Sequence, residues 1–122
     1  MPRPIHFELS ADDPERALAF YNQVFGWTAS KWDGPIEYWL ITTGEDSTPG
    51  INGGLMRRMD PSDGTVNTIS VPSVDDYLAK ATAAGGLIAM PKMAIPGIGY
   101  IAYCKDPEGN VFGIMQSDPD AA

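Results

Sequence analysis

One histidine and one glutamate stand two residues apart in an alternating segment, Ile5-His6-Phe7-Glu8-Leu9-Ser10. Residues i and i+2 of a strand share a face, so this spacing sets an imidazole beside a carboxylate. Such a pair can move protons or offer two donors to a metal ion. Three readings of His6 stay open on this spacing. It is a metal ligand, or a polar group that touches a ligand or carries a proton, or a strand histidine bonded to a neighbour such as Glu8. Other residues with chemical potential carry less. Cys104 is the only cysteine, which excludes an intrachain disulfide. Its neighbour Lys105 points to the opposite strand face and no base partner is evident, so an inert, buried thiol is expected. Gly97-Ile98-Gly99 resembles part of a phosphate loop but lacks a following helix, and reads as a turn. Gly53-Gly54 inside a strand marks a close backbone approach or a bulge.

The elements that must position these residues come in two copies. After the first alternating segment, Asp13 is a good helix N-cap and Pro14 suits the first helical turn. Ala17, Leu18, Phe20, Tyr21 and Val24 supply an apolar stripe that Gly26 ends. Three strands are predicted next, over 27–32, 37–43 and 51–58, separated by Asp33-Gly34-Pro35 and by the 44–50 loop. After the 59–64 loop the pattern repeats. Val66 to Val71 is a strand, and Ser73-Val74-Asp75-Asp76 resembles a capping box. Tyr77, Leu78, Ala81 and Ala84 form the helix stripe, and Gly85-Gly86 ends it. Strands are predicted over 87–93, 100–105 and 111–116. The fold class expected is α+β: two tandem βαβββ modules, about 4–58 and about 65–117, in one domain spanning 1–122. Neither module buries its sheet face alone, so the two are expected to pack together.

Three stretches carry a family resemblance: Asp12-Asp13-Pro14-Glu15-Arg16-Ala17-Leu18-Ala19-Phe20-Tyr21, then Val24-Phe25-Gly26-Trp27, then Asp106-Pro107-Glu108-Gly109-Asn110. Together they resemble the vicinal-oxygen-chelate superfamily, which includes glyoxalase I, extradiol dioxygenases, fosfomycin-resistance enzymes and bleomycin-sequestering proteins. Ile95-Pro96-Gly97-Ile98-Gly99-Tyr100 is similar to its branch of predicted lactoylglutathione-lyase-related proteins. The resemblance implies a curved mixed sheet with a central cleft, helices outside, and a homodimer. It also implies metal ligands on the first, fifth and last strands, with a further one sometimes from the fourth. Carried onto this chain, those positions fall on His6, Val66 and Gly113. Glu8 adds a second donor, and the 52–56 stretch offers no strong one. Divalent sites need three or four protein donors. No metal ligand set and no cofactor are therefore expected, and a divalent metal is disfavoured.

Strand alternation, anchored on those positions, sorts the faces. Ile5, Phe7 and Leu9 go under the helix while His6, Glu8 and Ser10 face the cleft. Asn67, Ile69 and Val71 go under the helix while Val66, Thr68 and Ser70 face the cleft. Phe112 and Ile114 are core while Val111, Gly113 and Met115 face the cleft. The expected ligand-binding set is His6, Glu8, Trp39, Met56, Thr68, Ser70, Tyr100 and Met115, with His6 and Glu8 the candidates for catalysis. Numerous strand aromatics suit a flat or apolar small molecule, and methionines make the cleft adaptable.

Composition sets the outer bounds. A net charge of −8 argues against nucleic acid and against anionic membrane surfaces. No apolar run approaches a membrane span, and residues 1–5 lack the apolar core of a signal peptide. A cytoplasmic setting is expected. Asp118 and Asp120 are expected to lie in a frayed tail. The expected function is metal-independent binding of a small organic molecule. The alternative is a lyase or isomerase resembling glyoxalase I, acting on a small carbonyl or vicinal-diol compound.

Overall fold

The computed structural model describes residues 1–60 and 63–122; Pro61 and Ser62, inside the 59–64 loop, lie outside the described residues. The chain is α+β. In order, its elements are β1 (Arg3–Ala11), α1 (Pro14–Phe25), β2 (Thr28–Lys31), β3 (Tyr38–Thr42), β4 (Gly53–Arg57), β5 (Val66–Ser70), α2 (Val74–Ala83), β6 (Leu87–Ile95), β7 (Gly99–Lys105) and β8 (Val111–Ser117). No helix among the described residues is long and apolar enough to cross a membrane.

Contacts gather the chain into two compact units, His6–Thr65 and residues 1–5 with Val66–Ala122. In the first unit the strand order is β2-β3-β4-β1, with β1 and β4 parallel and β2-β3-β4 antiparallel. In the second it is β5-β8-β7-β6, with β5 and β8 parallel and β8-β7-β6 antiparallel.

Local chemistry explains the helices. The Asp13 carboxylate accepts the Arg16 N–H at 3.2 Å, Pro14 opens α1, and Gly26 closes it at φ 76 with its N–H on the Asn22 carbonyl. Ser73 caps α2 in the same way, its hydroxyl accepting the Asp76 N–H. Each helix covers one face of the strands of its own unit. In the first unit Ala11, Ile41 and Leu55 are buried, with Phe7, Leu9, Ala17, Leu18, Trp27 and Trp39 packed against them. In the second unit Val71, Val74, Ala102 and Ile114 are buried, with Ile69, Tyr77, Leu78, Tyr100 and Phe112 around them. Asn67, expected under the helix, is exposed. Cys104 is fully buried, and burial pushes its thiol up from the ordinary range, which keeps it protonated and unreactive.

The C-terminal residues depart from expectation. They are tied down rather than frayed. The Asp118 N–H bonds the Ile98 carbonyl and the Gly97 N–H bonds the Ala121 carbonyl, both at 2.9 Å. Ala121 is buried. The turn at Gly97 and Ile98 leaves backbone groups unpaired, and residues 118–121 satisfy them.

Candidate functional site

The sheet face turned away from α1 carries the chemistry of the first unit. Phe7 and Leu9 pack toward α1, so by alternation His6, Glu8 and Ser10 point the other way. Glu8 is 8% exposed. It stands beside Gly54 in the β1–β4 register, and Met56 stands beside Ser10. Tyr38 on β3 pairs with Met56 and joins this face. Its hydroxyl donates to Glu8 Oε2 at 3.0 Å and lies 2.9 Å from His6 Nε2. His6 and Glu8 are thus linked through a phenol rather than bonded directly.

Gly54 makes this possible. A Cβ built on it would overlap the Tyr38 hydroxyl and ring, so the phenol crosses β4 through space that only glycine leaves open. Gly53, pointing the other way, leaves room for the Phe7 ring under α1. Trp32 meets Tyr38 edge-on, ring centroids 6.3 Å apart at 80°, and stands over Gly34. Tyr38, Gly54 and Trp32 are the site features absent from the expected set. The Gly53-Gly54 pair was the available signal, since a glycine in a strand often receives another side chain.

The second unit repeats the arrangement with different groups. Thr68 on β5, 1% exposed, stands beside Gly113 on β8, which is next to Tyr103 on β7. A Cβ on Gly113 would come 3.0 Å from Thr68 Oγ1 and 3.3 Å from a Tyr103 ring carbon. The last-strand position at which the resemblance implies a metal ligand is therefore closely flanked by neighbours. Ser70 and Met115 share this face, paired in register.

Two expected cleft residues lie on the wrong face for that role. Trp39 pairs with Leu55 and packs on the α1 side. There it lines a groove of about 560 Å³ between α1 and the β2–β3 hairpin, together with Leu18, Trp27 and Ile41. Tyr100 packs on the α2 side, paired with Gln116, whose Oε1 accepts the Val74 N–H at the start of that helix. Pairing with neighbouring strands decides the face. In each case another aromatic of the same strand, Tyr38 or Tyr103, takes the opposite one.

The electrostatics of His6 have two parts. Desolvation holds its pKa below the ordinary 6.5, and the nearby Glu8 carboxylate partly offsets this. Folding therefore favours the neutral ring. The unfolded chain binds more protons between the folded pKa and 6.5, so stability is complete above that window and falls as pH drops through it. We expect His6→Gln to remove this component. Denaturant midpoints measured on either side of the window should separate for the parent chain more than for the variant. Equal separation would place the acid sensitivity elsewhere.

The donor set does not fit a metal ion. Among the described residues no three His, Cys, Asp or Glu side chains converge in a metal-holding group. His6 and Glu8 are two donors already joined through Tyr38.

Turn chemistry sets where β8 begins. Asp106 Oδ1 accepts the N–H groups of Glu108 and Asn110, Oδ2 accepts the Asn110 amide, and Gly109 supplies φ 86. The Asn110 hydrogen bonds hold the Asp106 carboxyl below its ordinary range.

Comparison with known proteins agrees with the geometry. A sequence profile for the Glyoxalase/Bleomycin resistance protein/Dioxygenase superfamily matches residues 3–114. A Mycobacterium bovis protein named "Putative glyoxylase CFP32" is 33% identical over 118 residues, 92% of this chain and 43% of that protein. The chain thus spans less than half the length of the curated relatives it matches. Methylmalonyl-CoA epimerase from Mycobacterium tuberculosis superposes with a TM-score of 0.72 at 13% identity, covering 95% of this chain and 88% of that one. Hypothetical protein BH1468 from Bacillus halodurans superposes with a TM-score of 0.73 at 11% identity, covering 99% and 98%. At these identities the structural likeness is one of fold.

Proposed function

The chain belongs to the glyoxalase/bleomycin resistance protein/dioxygenase superfamily, and within it we propose a protein that binds a small organic molecule without a resident metal ion. The observation that carries this reading is the His6–Tyr38–Glu8 group on the helix-free face of the first unit. It presents polar atoms held by a strand scaffold, with too few strong donors to grip a divalent ion. We extend the proposal to a homodimer in a cytoplasmic setting. Exposed Leu87, Ile88, Met90 and Met93 on the sheet-edge strand β6 supply apolar surface that a second copy would cover.

A second reading is a metal-free isomerase or lyase. It is favoured by the unbroken hydrogen-bond path from a buried carboxylate to an imidazole, which suits general acid–base work. That structural neighbours include an epimerase adds support at the level of fold.

The test is metal analysis combined with ligand screening. Purified protein should carry substoichiometric Zn, Ni, Fe and Mn. A panel of small organic molecules should raise the melting temperature equally with and without a chelator, and Tyr38→Phe should weaken that response about tenfold in affinity, the loss of roughly one hydrogen bond to a charged network. A stoichiometric ion whose removal abolishes binding would refute the proposal.

A further inference from the structure

The hydrogen-bonded chain has a direction. An ionised carboxylate only accepts, so in the Glu8–Tyr38 bond the phenol gives its one proton to Glu8 Oε2. Tyr38 Oη then has only lone pairs to turn toward His6. The 2.9 Å contact between Tyr38 Oη and His6 Nε2 therefore requires an N–H on Nε2. A neutral imidazole carries a single proton, so Nδ1 holds a lone pair. No hydrogen bond occupies Nδ1 among the described residues.

We infer that Tyr38 is a positioning residue that locks His6 as its Nε2–H tautomer, so that Nδ1 is the basic nitrogen this site offers a ligand. The identity of the site as a binding site rests on the reading above; the tautomer follows from the bonds alone. Gly54 belongs to the same device, because only a residue without a Cβ there lets the phenol reach both partners.

The direction of the chain selects the ligand. A lone pair on a neutral ring, with the Glu8 carboxylate close by, repels anionic groups and accepts a hydrogen bond. The class that fits is a neutral donor: an alcohol, a phenol or an enol, rather than a carboxylate or phosphate. If the ligand yields its proton, that proton moves to Nδ1, the electron pair stays on the ligand oxygen, and the imidazolium formed is stabilised by Glu8 through Tyr38. Glu8 and Tyr38 are titratable groups that stand beside His6.

His6 is the only histidine in the chain, so ring labelling with ¹⁵N gives one unambiguous pair of signals. In the intact protein, above the His6 pKa, Nε2 should show the shift of a protonated ring nitrogen and Nδ1 that of a lone-pair nitrogen, with no averaging between them. Tyr38→Phe should return the ring to an averaged mixture of tautomers while the backbone amide spectrum stays dispersed. A proton on Nδ1 in the parent chain overturns the inference without any substitution being needed. So does a tautomer ratio that Tyr38→Phe leaves unchanged. Titration with phenol should then move the Nδ1 signal, and benzoate should leave it in place. An equal or larger response to benzoate, or no response to either, overturns the ligand class. The tautomer is measured without ligand, so its failure is distinct from failure of the binding panel.

Discussion

Gly54→Ala should abolish the His6–Tyr38–Glu8 group while leaving each of its members in the sequence. The added methyl would occupy the place of the Tyr38 hydroxyl and ring, and β4 is held on both sides, by β1 through the Glu8 register and by β3 through Leu40. The strand cannot retreat, so the tyrosine must leave. Glu8, buried, then loses the phenol as a donor, and His6 loses its partner. Overpacking of this kind costs about 1–3 kcal/mol, and loss of a hydrogen bond to a buried charged group adds about 1.5–3 kcal/mol. The expected readouts are a clear drop in the denaturant midpoint, an averaged His6 tautomer, and loss of small-molecule response. Retention of the locked tautomer in this variant would show that the phenol does not depend on the glycine slot.

Leu55→Ala, one residue further along, should do the opposite. Leu55 is fully buried and lies in the core with Ile41 and Ala11 under α1, on the face away from Tyr38. Truncation leaves a cavity in a close-packed layer and should cost about 2–5 kcal/mol. For a domain of this size that lowers the melting temperature by roughly 4 °C per kcal/mol. The His6 ring signals should stay those of the parent chain at temperatures where the variant is folded. The two neighbouring substitutions thus separate stability from site geometry. If Leu55→Ala also scrambled the His6 tautomer, the two faces of β4 would be coupled, and the group could not be treated as a local device.

The same contrast shows why the helix-packed face and the site face differ in what they tolerate. The α1 side is filled by aliphatic and aromatic contacts that respond to volume. The other side is organised by three polar atoms whose value lies in direction. Tyr38→Phe removes almost no volume and still deletes both bonds, so its effect should fall on the imidazole far more than on the midpoint.

Much of this was decided by residues close together in the chain. The caps at Asp13 and Ser73, the stops at Gly26 and after Ala84, and the Asp106–Asn110 turn are interactions over a few residues, and their signatures survive in any context. The doubling of the βαβββ pattern is likewise a matter of spacing, and with the flanking motifs it identified the family. The placement of His6 and Glu8 on one face needed only the period of a strand. What tertiary structure alone decided is which aromatic meets them. Tyr38 and Trp39 are adjacent, and alternation says only that they point opposite ways; the choice belongs to the β3–β4 register, formed across a long intervening segment. Tyr100 and Tyr103 were sorted by the corresponding β7–β8 register. The slot over Gly54 and the tight space at Gly113 exist only once three strands lie side by side, because an absent side chain has meaning only relative to the neighbours around its place.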